Sequence, residues 1–245
     1  MILRLYILIS CHFFADFYLQ SDKMANKKRE SVQFLILHSL IYGIVITAGF
    51  LTFTESVIKN IPVIVFLLFF FILTHFTADW LKIKNEKHSK HSEISLFVAD
   101  QIIHIAVIAG MLYLATYIFR LNYADLSKYE NIIKIIFLLI VLIKPSSIFI
   151  KTLFISVLDN NHSYSDNCNT DEAKDAGQLI GILERLITTA FLILEQYSAV
   201  GLVLTAKSIA RFKQLEDKNF AEKYLIGTLV SFSISLFLFM LVKYL

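Results

Sequence analysis

The stretch IPVIVFLLFFFILTHFTADWLK, residues 61–82, decides the fold. It has no Asp, Glu, Lys or Arg between Ile61 and Ala78. An apolar run of about twenty helical residues is what crosses roughly 30 Å of hydrocarbon. The run carries His75 and Asp79 near its end and then reaches Lys82. Residues at i and i+4 share one helical face, so this imidazole and this carboxylate are neighbours. The segment therefore reads as a membrane span with two ionisable side chains near one end.

Working outward, similar blocks run over about 1–20, 32–54, 94–119, 132–155, 179–194, 197–212 and 224–241. The chain has 245 residues, 57% hydrophobic and 18% charged, with 22 Phe. Its mean hydropathy is +0.66. A soluble domain carries about 45–50% apolar and about 25% charged residues. With only 2 Pro and 7 Gly, long uninterrupted helices are expected. The fold class predicted is an all-α, polytopic transmembrane helical bundle. It has eight spans, or seven if 197–212 does not cross. The first block lacks a cleavage site and is interrupted by His12 and Asp16, so it reads as a retained helix. Three regions follow: a five-helix part over 1–155, a polar loop over 156–176 rich in Asn, Asp and Ser, and a three-helix part over 177–245. Glu195 and Gln196 read as a tight turn.

Basic residues set the orientation. Lys23, Lys27, Lys28 and Arg29 follow the first block, and Lys82, Lys84, Lys87 and Lys90 follow the third. The excess of Lys and Arg in cytoplasmic loops places both groups inside and both termini outside. If 197–212 crosses, Lys213, Lys218 and Lys223 fall inside as well. A net charge of +3, spread in this way, is a topology signal, and no nucleic-acid partner is expected. Cys11 and Cys168 give no disulfide framework and no Cys-x-x-Cys pair.

The chemistry is concentrated in the first four blocks. His12 and Asp16, His75 and Asp79, and Asp100 and His104 are three pairs at i and i+4, and His38 lies near the start of the second block. With alternating helices all seven fall at one depth, in the cytoplasmic half. A carboxylate at a helix centre costs roughly 2.5–3.5 kcal/mol on insertion scales. Three of them require partners, water or a cation. Imidazole and carboxylate suit zinc, manganese or iron, and facing bundle helices are a recurrent place for such ions. The metal-ligand candidates are thus His12, Asp16, His38, His75, Asp79, Asp100 and His104, and the catalytic candidates Asp16, Asp79 and Asp100. The competing reading is a hydrogen-bonded network that only ties helices together. His88, His91 and His162 sit in loops.

In the last third, Glu184, Arg185, Lys207 and Arg211 are candidate substrate-binding residues, because Lys and Arg can hold a phosphate head group. The plainer alternative pairs Glu184 with Lys207 or Arg211, or lets the basic side chains reach lipid phosphates. Gly177 and Gly181 form a Gly-x-x-x-Gly that predicts close helix packing, as does Gly227.

The ordered motifs carry a resemblance. CHFFADFYLQSDKMANKKRE contains His12, Asp16, Phe17 and Gln20, with Asp22 just beyond. LHSLIYG brings His38, THFTADWLK His75 and Asp79, and ADQIIH Asp100, Gln101 and His104. GQLIGILERLI, QYSAVG and AKSIARFKQLEDKNFAEKYLIGTLVSF follow in the second half. The chain resembles the DUF3307 family of bacterial membrane proteins, over nearly its whole length. The resemblance implies a multi-pass protein of the bacterial inner membrane and names no reaction.

Three functions fit these residues. The first is a metal-dependent hydrolase, zinc being the first expectation and manganese or iron the alternatives. Its substrate would be a phospholipid or other phosphorylated amphiphile met at the cytoplasmic side of the lipid bilayer. The second is a transporter or channel for a cation or protons. The third is a non-catalytic interaction protein or assembly subunit; the sequence does not specify an oligomeric state. The orientation is open to direct measurement. Single cysteines at Asn85, Asn122 and Asp217 should be labelled from inside, outside and inside respectively. Labelling of position 217 from outside would contradict eight spans.

Overall fold

The computed structural model describes residues 1–55, 60–88, 93–158 and 171–244. Its helices are α1 (Ile2–Phe13), α2 (Asp22–Glu30), α3 (Val32–Leu51), α4 (Ile61–His88), α5 (Glu93–Tyr117), α6 (Glu130–Leu158), α7 (Asp171–Ile193), α8 (Tyr197–Ala210) and α9 (Lys218–Tyr244). Short 3₁₀ turns cover Ser127–Tyr129 and Phe212–Glu216. Among the described residues the only β-bridge pairs Thr54 with Tyr123.

Five described segments are long and apolar enough to cross a bilayer: Val32–Leu51, Ile61–Glu86, Glu93–Tyr117, Ser127–Ser156 and Lys218–Tyr244. The count becomes six if α1 and α2, bent by 84° at the break between them, form one broken span. The protein is a multi-pass, all-helical membrane protein whose apolar helices match a lipid bilayer. α8, at 14 residues, is about 21 Å long at about 1.5 Å per residue, short of the hydrocarbon thickness.

Two readings from sequence change here. The segment holding Lys23–Arg29 is a helix, capped by Ser21 Oγ, which accepts from Met24 N at 3.3 Å. Lys82 and Lys84 sit on α4, which continues past the apolar run to His88. The polar stretch expected as a loop lies outside the described residues over 159–170, together with Cys168 and His162, and Asp171 already begins α7. Lys90 and His91 are also outside them.

The chain divides into two compact units, Met1–Ile140 and Val141–Leu245. In the first, α3 packs on α1, α2 and α4, and α5 packs on α1 and α4. One end of this bundle is dry. Leu8, Ile46, Phe50, Phe53, Leu67, Phe71, Ile108, Met111, Leu112 and Ala115 form a fully buried cluster. Beyond it, Glu55 N donates to Asn122 O and Ala124 N to Phe53 O, each at 2.9 Å, tying the loop after α3 to the loop after α5. In the second unit α7 packs against α8 and α9, with Leu192, Val200 and Phe239 buried together. The tight turn expected at Glu195 and Gln196 is present: Glu195 takes a positive φ of 58°, and Gln196 N donates to Phe191 O at 2.8 Å.

Glycine decides how closely helices approach. A Cβ on Gly49 would lie 2.8 Å from Cys11 Sγ, so α1 and α3 meet nearly backbone to side chain there. Gly227 is close but less tight, a Cβ there lying 3.1 Å from the Phe154 ring. The Gly177/Gly181 expectation is corrected: a Cβ at Gly177 meets nothing described within 4 Å, and at Gly181 it meets only the Arg185 side chain. Overpacking at the Gly49 contact should cost about 1–3 kcal/mol. Gly49→Ala should therefore lower stability in detergent by that amount, and Cys11→Ala in the same chain should restore most of it. Equal losses in the single and double variants would show that the contact is not tight.

Candidate metal centre

Local backbone geometry sets the first ligand. After Phe13 the chain of α1 widens into a π turn over Phe14–Tyr18, in which Leu19 N donates to Phe14 O at 3.1 Å. Such turns recur at functional sites because they re-aim one side chain within a helix. Here Asp16 is re-aimed toward α3 and α4. Its Oδ1 lies 3.3 Å from His38 Nε2 and 3.5 Å from His75 Nε2. Asp79, one turn after His75, brings Oδ2 to 3.6 Å from His75 Nε2 and 3.7 Å from His38 Nε2. The two imidazole Nε2 atoms are 3.0 Å apart, so at most one proton lies between them. Tyr42 stacks on the His75 ring at 3.7 Å and fixes its plane.

His104 completes the set from α5. Its Nδ1–H donates to Asp100 O at 2.8 Å. That bond fixes the tautomer and leaves Nε2 with a lone pair, buried and without a hydrogen-bond partner. A histidine that donates through one nitrogen to a backbone carbonyl and presents the other is the usual arrangement at metals. Two groups of three offer ligand atoms lying within 4.8 Å of one another: Asp16 with His38 and His75, and His75 with Asp79 and His104. Asp16 Oδ1 is a second enclosed atom without an aligned hydrogen bond. Nitrogen and oxygen donors in two groups of three that share His75, with no sulfur among them, fit a divalent transition metal. The protein thus holds a buried His/Asp cluster, capable of metal coordination, within a membrane-embedded helical bundle.

His12 and Asp100 come to the edge of this cluster and belong to neither group. His12 Nε2 donates to Gln101 Oε1 at 3.1 Å, and its ring stacks on His104 at 5.3 Å. The donor assignment follows from Gln101, whose Nε2 donates to Asp100 Oδ2 at 3.1 Å and whose oxygen must therefore accept. Two lysines were read only as orientation signals. Lys28 on α2 donates to Asp79 Oδ2 at 2.8 Å and to Gln20 Oε1 at 3.2 Å. Lys82 donates to Asp100 Oδ2 at 2.9 Å. The spacing of Lys82, three residues after Asp79 on α4, was a usable signal. For Lys28 there was none, because a lysine in a loop and a lysine on a returning helix look alike in sequence.

A family description, "Protein of unknown function (DUF3307)", matches residues 4–133. The chain belongs to the DUF3307 family. No curated protein and no solved structure matches it. The DUF3307 match takes in all seven His/Asp candidates with Lys28 and Lys82, and ends before the second unit.

In that unit the expected substrate-binding residues have other partners. Pro145 sits inside α6 and cannot donate to Val141 O. Ser146 Oγ donates there instead, at 2.7 Å. Arg185 Nε donates to Leu142 O at 2.9 Å and its Nη2 to Ile143 O and to Ser147 Oγ. Arg185, only 3% exposed, thus gives its donors to oxygens of the turn that holds Pro145. Lys207 donates to Glu184 at 2.6 Å, the pairing that the plainer sequence reading anticipated. Arg211 donates to Gln214 Oε1 at 3.3 Å.

Proposed function

We propose that this protein is a metal-dependent hydrolase of a bacterial inner membrane, acting from the cytoplasmic side on an amphiphilic, phosphorylated substrate. The observation that carries the reading is the convergence of Asp16, His38, His75, Asp79 and His104, with His104 Nε2 and Asp16 Oδ1 left without hydrogen bonds. In this reading the chain has eight spans, α8 being the short one.

His75, Asp79 and His104 would hold the ion, together with His38, which groups with the same His75. Zinc needs four such ligands, and recruitment of Asp16 as a fifth favours manganese or iron. A bound divalent ion lowers the pKa of water and polarises an ester oxygen. Asp16 is the most exposed of the three carboxylates, with its side chain 10% accessible against 4% for Asp79 and 6% for Asp100. It receives the proton as the water oxygen bonds to the ester centre. The ester bond then breaks, and Asp16 returns the proton to the leaving oxygen. His12 and Asp100 are positioning residues whose side chains both bond Gln101, while the main-chain carbonyl of Asp100 holds the His104 tautomer. Of the candidate phosphate-binding residues in the second unit, Arg185 and Arg211 have described hydrogen bonds only to neutral oxygens. Lys207 is already neutralised by Glu184.

A cation or proton path would need polar groups continuing beyond the cluster. The far end of the bundle is filled by Leu8, Ile46, Phe50, Phe71 and Ile108 instead, which favours a closed centre over a conduit. The test is elemental analysis of protein purified in mild detergent without chelator. The parent should carry near-stoichiometric zinc, manganese or iron, and a monodisperse Asp79→Ala, His104→Ala variant should lose it. Negligible metal in both, after added zinc or manganese, would contradict the reading.

A further inference from the structure

The charges around the cluster point to the substrate. Asp16, Asp79 and Asp100 bring three carboxylates, and Lys28 and Lys82 bring two ammonium groups. As formal charges these five groups sum to one net negative charge, and a divalent cation turns this into one net positive charge. Inside a bundle, away from bulk water, an uncompensated charge of either sign is costly. A loaded site is therefore complete only with a single negative charge from elsewhere.

The two lysines lie where that charge would arrive. His12, His38 and His75 are sealed, with side chains 0–1% accessible. Accessibility rises to 10% at Asp16, 14% at Lys28 and 25% at Lys82. Both ammonium groups thus lie at the more accessible edge of the cluster, which we take as its mouth. Lys28 now donates to Asp79 Oδ2, the oxygen that also faces His38 and His75. An ion held by Asp79 draws on that oxygen and frees the Lys28 ammonium for another acceptor. Lys28 also reaches Gln20 in the turn between α1 and α2, so it can move without leaving the mouth.

We propose that Lys28 and Lys82 form the anion-recognising edge of the metal centre, and that its substrate presents a singly charged phosphodiester. This rests on the hydrolase reading and names its substrate class. A phosphate monoester, mostly doubly charged at neutral pH, would leave the site negative again. A neutral ester would leave the positive charge unmatched.

The experiment uses the full chain in mild detergent, loaded with zinc, and dibutyl phosphate as the probe. Zinc content is measured on each sample, and binding is followed by calorimetry. The parent should bind dibutyl phosphate only when zinc-loaded, and should not bind neutral tributyl phosphate. Lys28→Gln and Lys82→Gln should each keep their zinc, which reports an intact centre, and weaken binding by about tenfold or more. Lys28→Arg should retain most of the binding. Should Lys28→Gln fold poorly, Lys82→Gln carries the test. Zinc uptake with binding unaffected by either lysine, or equal binding of tributyl phosphate, would overturn this proposal alone. Failure of the parent to take up zinc would overturn the hydrolase reading and this proposal with it.

Discussion

Burying Asp16, Asp79 and Asp100 close together inside a helical bundle requires that each carboxylate meet a donor or a positive charge. The architecture of the first unit follows from that requirement. α2 folds back after the bend so that Lys28 reaches Asp79. α4 runs on past its apolar stretch so that Lys82 reaches Asp100. α1 widens into a π turn so that Asp16 faces two imidazoles rather than lipid. Each feature departs from the plain apolar helix that would be easiest to insert. All of them surround the cluster, while the other end of the same helices packs as ordinary aliphatic and aromatic core.

Much of this was legible in the residues. Long apolar runs with few Pro and Gly fix membrane helices, because only a helix satisfies its own backbone in hydrocarbon. The i, i+4 pairs fixed which face of each helix carries chemistry, and helix alternation brought the faces to one depth. The remainder depended on details finer than those patterns. Nothing in FADFY signals a π turn over a regular one. Periodicity could not separate His12 and Asp100 from the other five, because that distinction lies in which atom each hydrogen bond occupies. Positive charge was read for its side of the membrane, and the same lysines turned out to be partners of the buried carboxylates. In the last third, Arg185 donates to carbonyls of the turn that holds Pro145, forty residues earlier, a contact that spacing along the sequence does not reveal.

The two units carry different kinds of polar burial. In Val141–Leu245 the buried cation meets backbone carbonyls, and the neighbouring Lys207–Glu184 pair is closed on itself. In Met1–Ile140 imidazole and carboxylate groups gather and leave His104 Nε2 and Asp16 Oδ1 without hydrogen bonds, an arrangement capable of metal coordination. The DUF3307 match, over residues 4–133, falls on the unit that holds the His/Asp cluster.

The central claim is that these side chains ligate a single divalent ion. X-ray absorption at the metal edge of the loaded protein in detergent tests it most directly. The account predicts a shell of nitrogen and oxygen only, at about 2.0–2.2 Å for zinc. Multiple scattering from two or three imidazoles should accompany that shell, and one imidazole should be lost in His104→Ala. A shell with sulfur, or one of oxygen alone with no imidazole signature, would contradict it.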